Sequence, residues 1–185
     1  MNVWQQTLQQ ITDDPLYQEN LDWGEVRAGH PEGTLRAHIA ELERNLHRLR
    51  HQLTPEEQDQ LRLLIHVHDI CKPNAKRGVP ILDSRSHASL AREYLARFCS
   101  EEPLLSIVQF HDEPFALYQQ YRHRGSCSTS RFEDLLAAIT TWDLFLPFLI
   151  IDGCTVGKSR EPLQWFFEQI DGQIVTRWTA QDLLL

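Results

Sequence analysis

The sequence predicts an all-α fold, a single-domain helical bundle, and three observations carry that expectation. Apolar residues recur at helical spacing in segment after segment; Leu35, Ile39, Leu42, Leu46, Leu49 and Leu53, for instance, alternate steps of four and three. Helix-start chemistry precedes such stripes, and Thr54-Pro55-Glu56-Glu57 reads as an N-cap, a proline in the first turn and a capping-box glutamate. No run of alternating β-branched residues, no internal repeat and no low-complexity stretch competes with this pattern. At 185 residues the chain is long enough for one sizeable core. We divide it into an N-terminal helix and loop over 1–33 and a helical body over 34–185, together one globular unit.

Taken in order, residues 3–11 predict a short helix with Trp4, Leu8 and Ile11 on one face. Asp13-Asp14-Pro15 ends it, and the Gly-, Pro-, Asn- and Asp-rich segment up to Gly33 reads as a long loop. Thr34 caps the helix of the Leu35–Leu53 stripe, with His38 at its edge and His47 and His51 on its solvated side. The next helix begins at Thr54 and ends in His66-Val67-His68-Asp69-Ile70-Cys71-Lys72, stopped by Pro73. Leu61, Leu64, His68 and Cys71 share its face, and Asp69 lies about 100° further round the helix. A loop from Lys72 to Arg85 follows. Asp83 or Ser84 then caps a helix carrying His87, Leu90, Tyr94 and Phe98, and Pro103 opens another carrying Leu104, Ile107, Val108 and His111. Arg122–Ser130 reads as a basic, mobile loop, and Phe132–Ile151 as one long apolar helix kinked at Pro147. Glu161-Pro162 opens a closing helix with Trp165, Phe166 and Ile170, and Trp178 and Leu183 to Leu185 cover the end of the core.

Composition narrows the function classes. A net charge of −8 gives no global attraction to nucleic acid or to an anionic membrane, so no nucleic-acid partner is expected. No apolar run reaches the length of a membrane span, and the first residues lack the basic-then-apolar pattern of a leader. Cys71, Cys99, Cys127 and Cys154 are scattered without a Cys-x-x-Cys pair, which suits free thiols in a reducing cytoplasm.

The informative residues are histidines. His38, His68, His87 and His111 fall on or beside the apolar stripes of four different predicted helices. Burying an imidazole costs free energy unless something takes up its lone pair. A metal ion does so: imidazole with carboxylate suits Mn, Fe, Ni, Co or Zn, and a carboxylate- and water-rich site suits Mg.

Three local patterns then carry a resemblance. Glu32-Gly33-Thr34-Leu35-Arg36-Ala37-His38 resembles the first histidine motif of the HD-domain superfamily of metal-dependent phosphohydrolases. His68-Asp69-Ile70-Cys71-Lys72-Pro73 resembles its paired motif, and Phe148-Leu149-Ile150-Ile151-Asp152-Gly153 is similar to its last, an apolar run ending in aspartate. The resemblance covers roughly Glu32 to Lys158. It implies a first metal held by His38, His68, Asp69 and a final aspartate, Asp152 or alternatively Asp143. His87 and His111 match the positions that hold a second metal in the binuclear branch, so one or two ions are expected. There this chain departs from the branch, with His111-Asp112 where a double histidine is common, and Asp112 becomes a bridging or supporting candidate.

The implied activity is hydrolysis of a phosphate mono- or diester of a nucleotide or similar small molecule by metal-activated water, with Asp69 and Lys72 as catalytic residues. Lys72, Arg77 and Lys158, and more weakly Lys76, are candidates for contacting the substrate. Two alternatives remain open: a di-iron oxygenase of related helical architecture, and a non-catalytic module that senses a nucleotide. A phosphate-cradling loop is the rival motif at Gly153-Cys154-Thr155-Val156-Gly157-Lys158-Ser159, but only three residues separate its glycines where the motif needs four. Oligomeric state is not encoded in any of these features.

Overall fold

The structure, a computed structural model, describes residues 1–27 and 31–184. Among them the regular elements are helices, in the order α1 Val3–Asp13, α2 Pro15–Asn20, α3 Leu35–Leu49, α4 Pro55–Val67, α5 His87–Ala96, α6 Glu102–Phe110, α7 Glu113–Arg124, α8 Thr129–Ala138, α9 Trp142–Gly153 and α10 Glu161–Ile170, with short 3₁₀ turns between some of them. The all-α expectation therefore holds.

Helix α4 is the centre of the bundle, packing against α1, α3, α5, α6 and α9. Its own residues explain why. Leu61, Leu63, Leu64, Ile65 and Val67 are all buried, so its second half is apolar everywhere but the face carrying Arg62 and His66 and needs neighbours on most sides. The predicted capping box is present: Thr54 Oγ1 accepts from the Glu57 amide at 3.2 Å, and the Glu57 carboxylate accepts from the Thr54 amide at 2.8 Å. The N-terminal segment is built into this centre, with Trp4 Nε1 donating to Glu56 and Asn2 Nδ2 to Asp59.

Several local expectations are corrected. The segment read as loop after Asp13 contains α2, because Asp14 accepts from the Leu16 amide at 3.0 Å and Pro15 fits the first helical position; proline here starts a helix rather than breaking one. Residues 28–30, in the rest of that loop, and Leu185 lie outside the described residues. Beyond α2 the chain doubles back through an antiparallel bridge between Gly24 and Thr34. Gly24 has φ +115°, and a Cβ there would lie 2.4 Å from the Gly33 carbonyl oxygen, so only glycine fits. The returning strand places the Leu21 and Trp23 carbonyls on the Arg36 and Leu35 amides, which would otherwise be orphaned at the start of α3.

Helix α4 stops at Val67, with His68 at its C-cap, and Asp69 lies in the turn that follows. Ser86, not Asp83 or Ser84, caps α5, accepting from the Ser89 amide at 3.0 Å; Asp83 is taken by the Arg85 amide and guanidinium. Arg122, His123 and Arg124, read as loop, form the last turn of α7, where cations suit the helix dipole and Gly125 at φ +73° ends the helix.

The expected long helix over 132–151 is two helices, α8 and α9, bent by 116°. The break falls at Ile139-Thr140-Thr141, a β-branched run of poor helix formers, and not at Pro147. Pro147 sits inside α9, and its missing N–H leaves the Asp143 carbonyl without a helical partner. Trp178 Nε1 donates to that carbonyl at 3.2 Å. Trp178, Leu183 and Leu184 are buried over the end of the core, as expected. Among the described residues no single helix is long and apolar enough to cross a membrane.

Candidate metal centre

The predicted ligands all sit at helix ends. His38 lies in the first turn of α3, His68 at the C-cap of α4 with Asp69 just beyond it, His87 at the first position of α5, His111 at the C-cap of α6, and Asp152 in the last turn of α9. Because these helices pack around α4, their ends converge on the turn after it. His38, His68, Asp69 and His111 are 3%, 1%, 6% and 4% exposed, so four polar side chains share a dry interior.

The cluster resolves into two groups that could each hold a metal ion: His38, His68 and Asp152, and Asp69, His87 and His111. Asp69 joins them. Its Oδ2 lies 3.3 Å from His68 Nε2 and 3.9 Å from His38 Nε2, while its Oδ1 lies 3.6 Å from His111 Nε2 and 3.7 Å from His87 Nε2. His38 Nε2 is 3.1 Å from Asp152 Oδ1, and His87 Nε2 is 3.3 Å from His111 Nε2. Of the two candidates for the last carboxylate, Asp152 is the one in the cluster. Asp143 is not: it accepts from Thr176 Oγ1 at 2.6 Å and from the Arg177 amide at 3.0 Å, tying the C-terminal segment to α9. Asp112 joins at the rim, 3.1 Å from His87 Nε2.

The outer faces of the imidazoles fix their inner faces. His68 Nδ1 lies 3.1 Å from the Ile65 carbonyl and 3.2 Å from that of Leu64, and His111 Nδ1 lies 2.7 Å from the Val108 carbonyl. A carbonyl only accepts, so Nδ1 carries a proton and Nε2 is the atom aimed at the cluster. His38 is oriented likewise by Glu32, whose Oε1 is 3.2 Å from its Nδ1. Two buried atoms at the centre, His68 Nε2 and Asp69 Oδ1, have no hydrogen-bond partner. An orphaned imidazole nitrogen beside an orphaned carboxylate oxygen is a donor set that a divalent cation satisfies.

Charge sorts the groups. Burial depresses His68 below the ordinary imidazole range, against the pull of Asp69. Burial would do the same to His38, but hydrogen bonds to Asp152 and Glu32 lift it to about 9. For His111 the Asp112 and Asp69 charges overcome burial and lift it to about 9 as well. Burial pushes the Asp69 carboxyl up, and the surrounding His68 and Lys72 overturn that and hold it well below the usual carboxylate range. Asp152 is held low in the same sense, burial being outweighed by Lys158 and His38.

Lys72 ion-pairs with Asp69 Oδ2, and Lys158 Nζ lies 2.9 Å from Asp152 Oδ1. Each presumed ligand carboxylate thus has a lysine behind it. Arg77 and Lys76 do not reach the cluster; they line a cleft of about 720 Å³ beside it, with the Arg77 guanidinium 6.0 Å from the Trp23 ring. A second cleft, of about 620 Å³, opens on the other flank and reaches Asp69, His111, Asp152 and Lys158. Lys72, Asp112 and Phe115 line both.

Sequence reasoning missed four contributors. Glu32 was part of a motif but had no role until its carboxylate met His38. Asn20, in the segment read as loop, is buried and donates to the Ile70 carbonyl at 2.8 Å and to Asn74 Oδ1 at 2.8 Å, pinning the turn that carries Asp69. Glu41, buried in α3, accepts from the Val156 amide, and Arg160 donates to the carbonyls of Gly153, Cys154, Thr155 and Lys158, which together fix the turn after Asp152. A buried carboxylate on the α3 stripe was the one available signal among these. Compared with known protein families, with characterised proteins and with solved structures, the chain has no match.

Proposed function

We propose that the protein is a metal-dependent phosphohydrolase of the HD-domain type, cleaving a phosphate ester with a water activated at the His/Asp cluster. The observation that carries this reading is the Asp69 carboxylate, buried and divided between two histidine groups, with Oδ1 left unpartnered at its centre. His38, His68, Asp69 and Asp152 would hold one ion, and Asp69, His87 and His111 a second. Imidazole with carboxylate favours Mn, Fe, Ni, Co or Zn over Mg. A divalent cation held there draws charge from a phosphoryl oxygen and lowers the pKa of a water beside it.

The chain's own groups do the rest. Lys72 stands behind Asp69 and faces both clefts, where its cation meets charge that develops on the phosphoryl oxygens. Asp112, at the shared mouth, accepts a hydrogen bond from the attacking water and orients it. Burial raises the Asp112 carboxyl, but His111 and His87 more than compensate, so it stays ionised. Lys158 keeps Asp152 aimed at His38.

Metal analysis of protein purified without chelator, joined to a phosphate-release screen, tests the proposal. One or two bound equivalents are expected, with turnover lost on chelation and restored by a transition-metal ion. Metal-free protein inactive in every divalent ion overturns it. The shared carboxylate also favours a second reading, a di-iron oxygenase, which requires iron specifically, a visible chromophore and oxygen uptake.

A further inference from the structure

Among the described residues two large clefts meet at the cluster. The first reaches His87 and carries Trp23, Arg27, Lys76 and Arg77 against one further carboxylate, Glu25; the second reaches His111 and Asp152 and carries Tyr118, Leu149 and Leu163. Phe115, 51% exposed, stands on the ridge between them and lines both. Their chemistry differs. In the second cleft Lys158 is engaged by Asp152, Lys72 by Asp69, and Arg122 by Glu161 and the Tyr118 hydroxyl; Phe115, Tyr118, Leu149 and Leu163 form an apolar and aromatic part of the wall, with Gln119, His123 and Ser159 beside it. In the first, Lys76 and Arg77 are exposed and, among the described residues, neither forms an ion pair with a carboxylate.

From this we infer that the substrate is a phosphodiester with two unlike arms: an anion-bearing arm lies in the Trp23–Arg77 cleft, and an uncharged, ring-bearing arm lies in the Tyr118–Leu163 cleft. The inference rests on the phosphohydrolase reading and narrows it, since a monoester would leave one cleft unused. A phosphoryl group at the cluster opens onto both clefts: the water stands opposite the departing oxygen of the ring-bearing arm, and the retained arm runs to the side of that line into the other cleft. The water oxygen forms a bond to phosphorus, and the bond from phosphorus to the ring-bearing arm breaks. That arm leaves with the bonding pair on its oxygen, and the water gives up a proton to solvent. The anionic arm is released as a phosphate monoester.

Three probes separate the possibilities on the full-length, metal-loaded protein: 2-carboxyethyl 4-nitrophenyl phosphate, propyl 4-nitrophenyl phosphate and 4-nitrophenyl phosphate. The inference predicts kcat/KM falling in that order. It also predicts that the K76A/R77A variant loses about tenfold on the carboxylate-bearing diester and markedly less on the propyl diester, the size of one charge-assisted contact. Thermal stabilisation by a non-hydrolysable phosphonate analogue of the first probe should fall in the same variant, which reads binding without turnover. A monoester hydrolysed as fast as either diester overturns the inference while leaving the hydrolase reading standing, and so does an equal loss on all three probes in K76A/R77A. No turnover of any probe in any divalent ion overturns both.

Discussion

Two buried carboxylates in this protein have opposite surroundings. Glu113, at the first position of α7, is 2% exposed and receives both forks of the Arg131 guanidinium from α8, at 2.6 and 2.7 Å. Asp69, at the centre of the bundle, is 6% exposed; Lys72 ion-pairs with its Oδ2 alone, four imidazole nitrogens face it, and among the described residues its Oδ1 has no hydrogen-bond partner. The first carboxylate is completed by its own chain and needs nothing further. The second is faced by converging histidine Nε2 atoms, with His68 and His111 anchored from behind by backbone carbonyls and His38 by Glu32. The difference separates a structural ion pair from a candidate ligand site where burial alone would class them together.

The largest effect expected from this contrast is at Asp69. Asp69→Ala removes the ligand common to both groups, so metal content and phosphate release should both fall to background, read by elemental analysis and by rate. Arg131→Ala should act the other way round. It strands the Glu113 charge in the interior and costs about 3–5 kcal/mol of stability, while the folded fraction keeps its metal. Denaturant unfolding together with metal content per folded molecule reads both halves, and an Arg131 variant that loses metal without losing stability would break the comparison.

A finer test lies one layer out. Glu32→Gln keeps the shape of the side chain but weakens its hold on His38 Nδ1, and metal affinity should drop by about 10–100-fold with little change in fold, measured by competition with a chromophoric chelator. Trp178→Phe removes the donor to the carbonyl that Pro147 cannot serve, and about 1–3 kcal/mol of stability should go with it, again without loss of metal.

The pH dependence of the metal-free protein sharpens the picture further. His38 and His111 are raised to about 9 in the folded state, above the unfolded imidazole value of about 6.5. Their contribution to stability is therefore full below about pH 6.5 and is lost as pH rises through about 9. Chelator-treated protein should melt progressively lower over that window. Metal loading should flatten the trend and release protons near neutral pH, because ligated imidazoles give up the proton on Nε2. His68 runs opposite: burial lowers it, so it stays neutral there and is ready to ligate.

What the sequence revealed and what it hid follow from the same physics. His38, His68, His87 and His111 were legible because each falls at helical spacing beside apolar residues, and an imidazole on such a face needs a partner. The choice between Asp143 and Asp152 was not legible. Helix α9 is buried nearly all round, from Leu144 to Ile151, so no amphipathic phase distinguishes its two ends. The same uniform apolarity disguised the break at Ile139-Thr140-Thr141, and a proline that looked like the kink lies within a helix, its orphaned carbonyl bonded from distant Trp178. Glu32 and Asn20 were hidden because they act from outside the long helices, where no periodicity marks a side chain as facing inward.

The central claim is that these imidazoles and carboxylates converge around a cation. Anomalous X-ray scattering from crystals of protein prepared without chelator tests it most directly. The account predicts a peak bounded by His38, His68, Asp69 and Asp152, and a second, where two ions bind, between Asp69, His87 and His111. Imidazoles turned away from one another, or a cluster filled by water alone in protein supplied with Mn, Fe, Ni, Co or Zn, would contradict it.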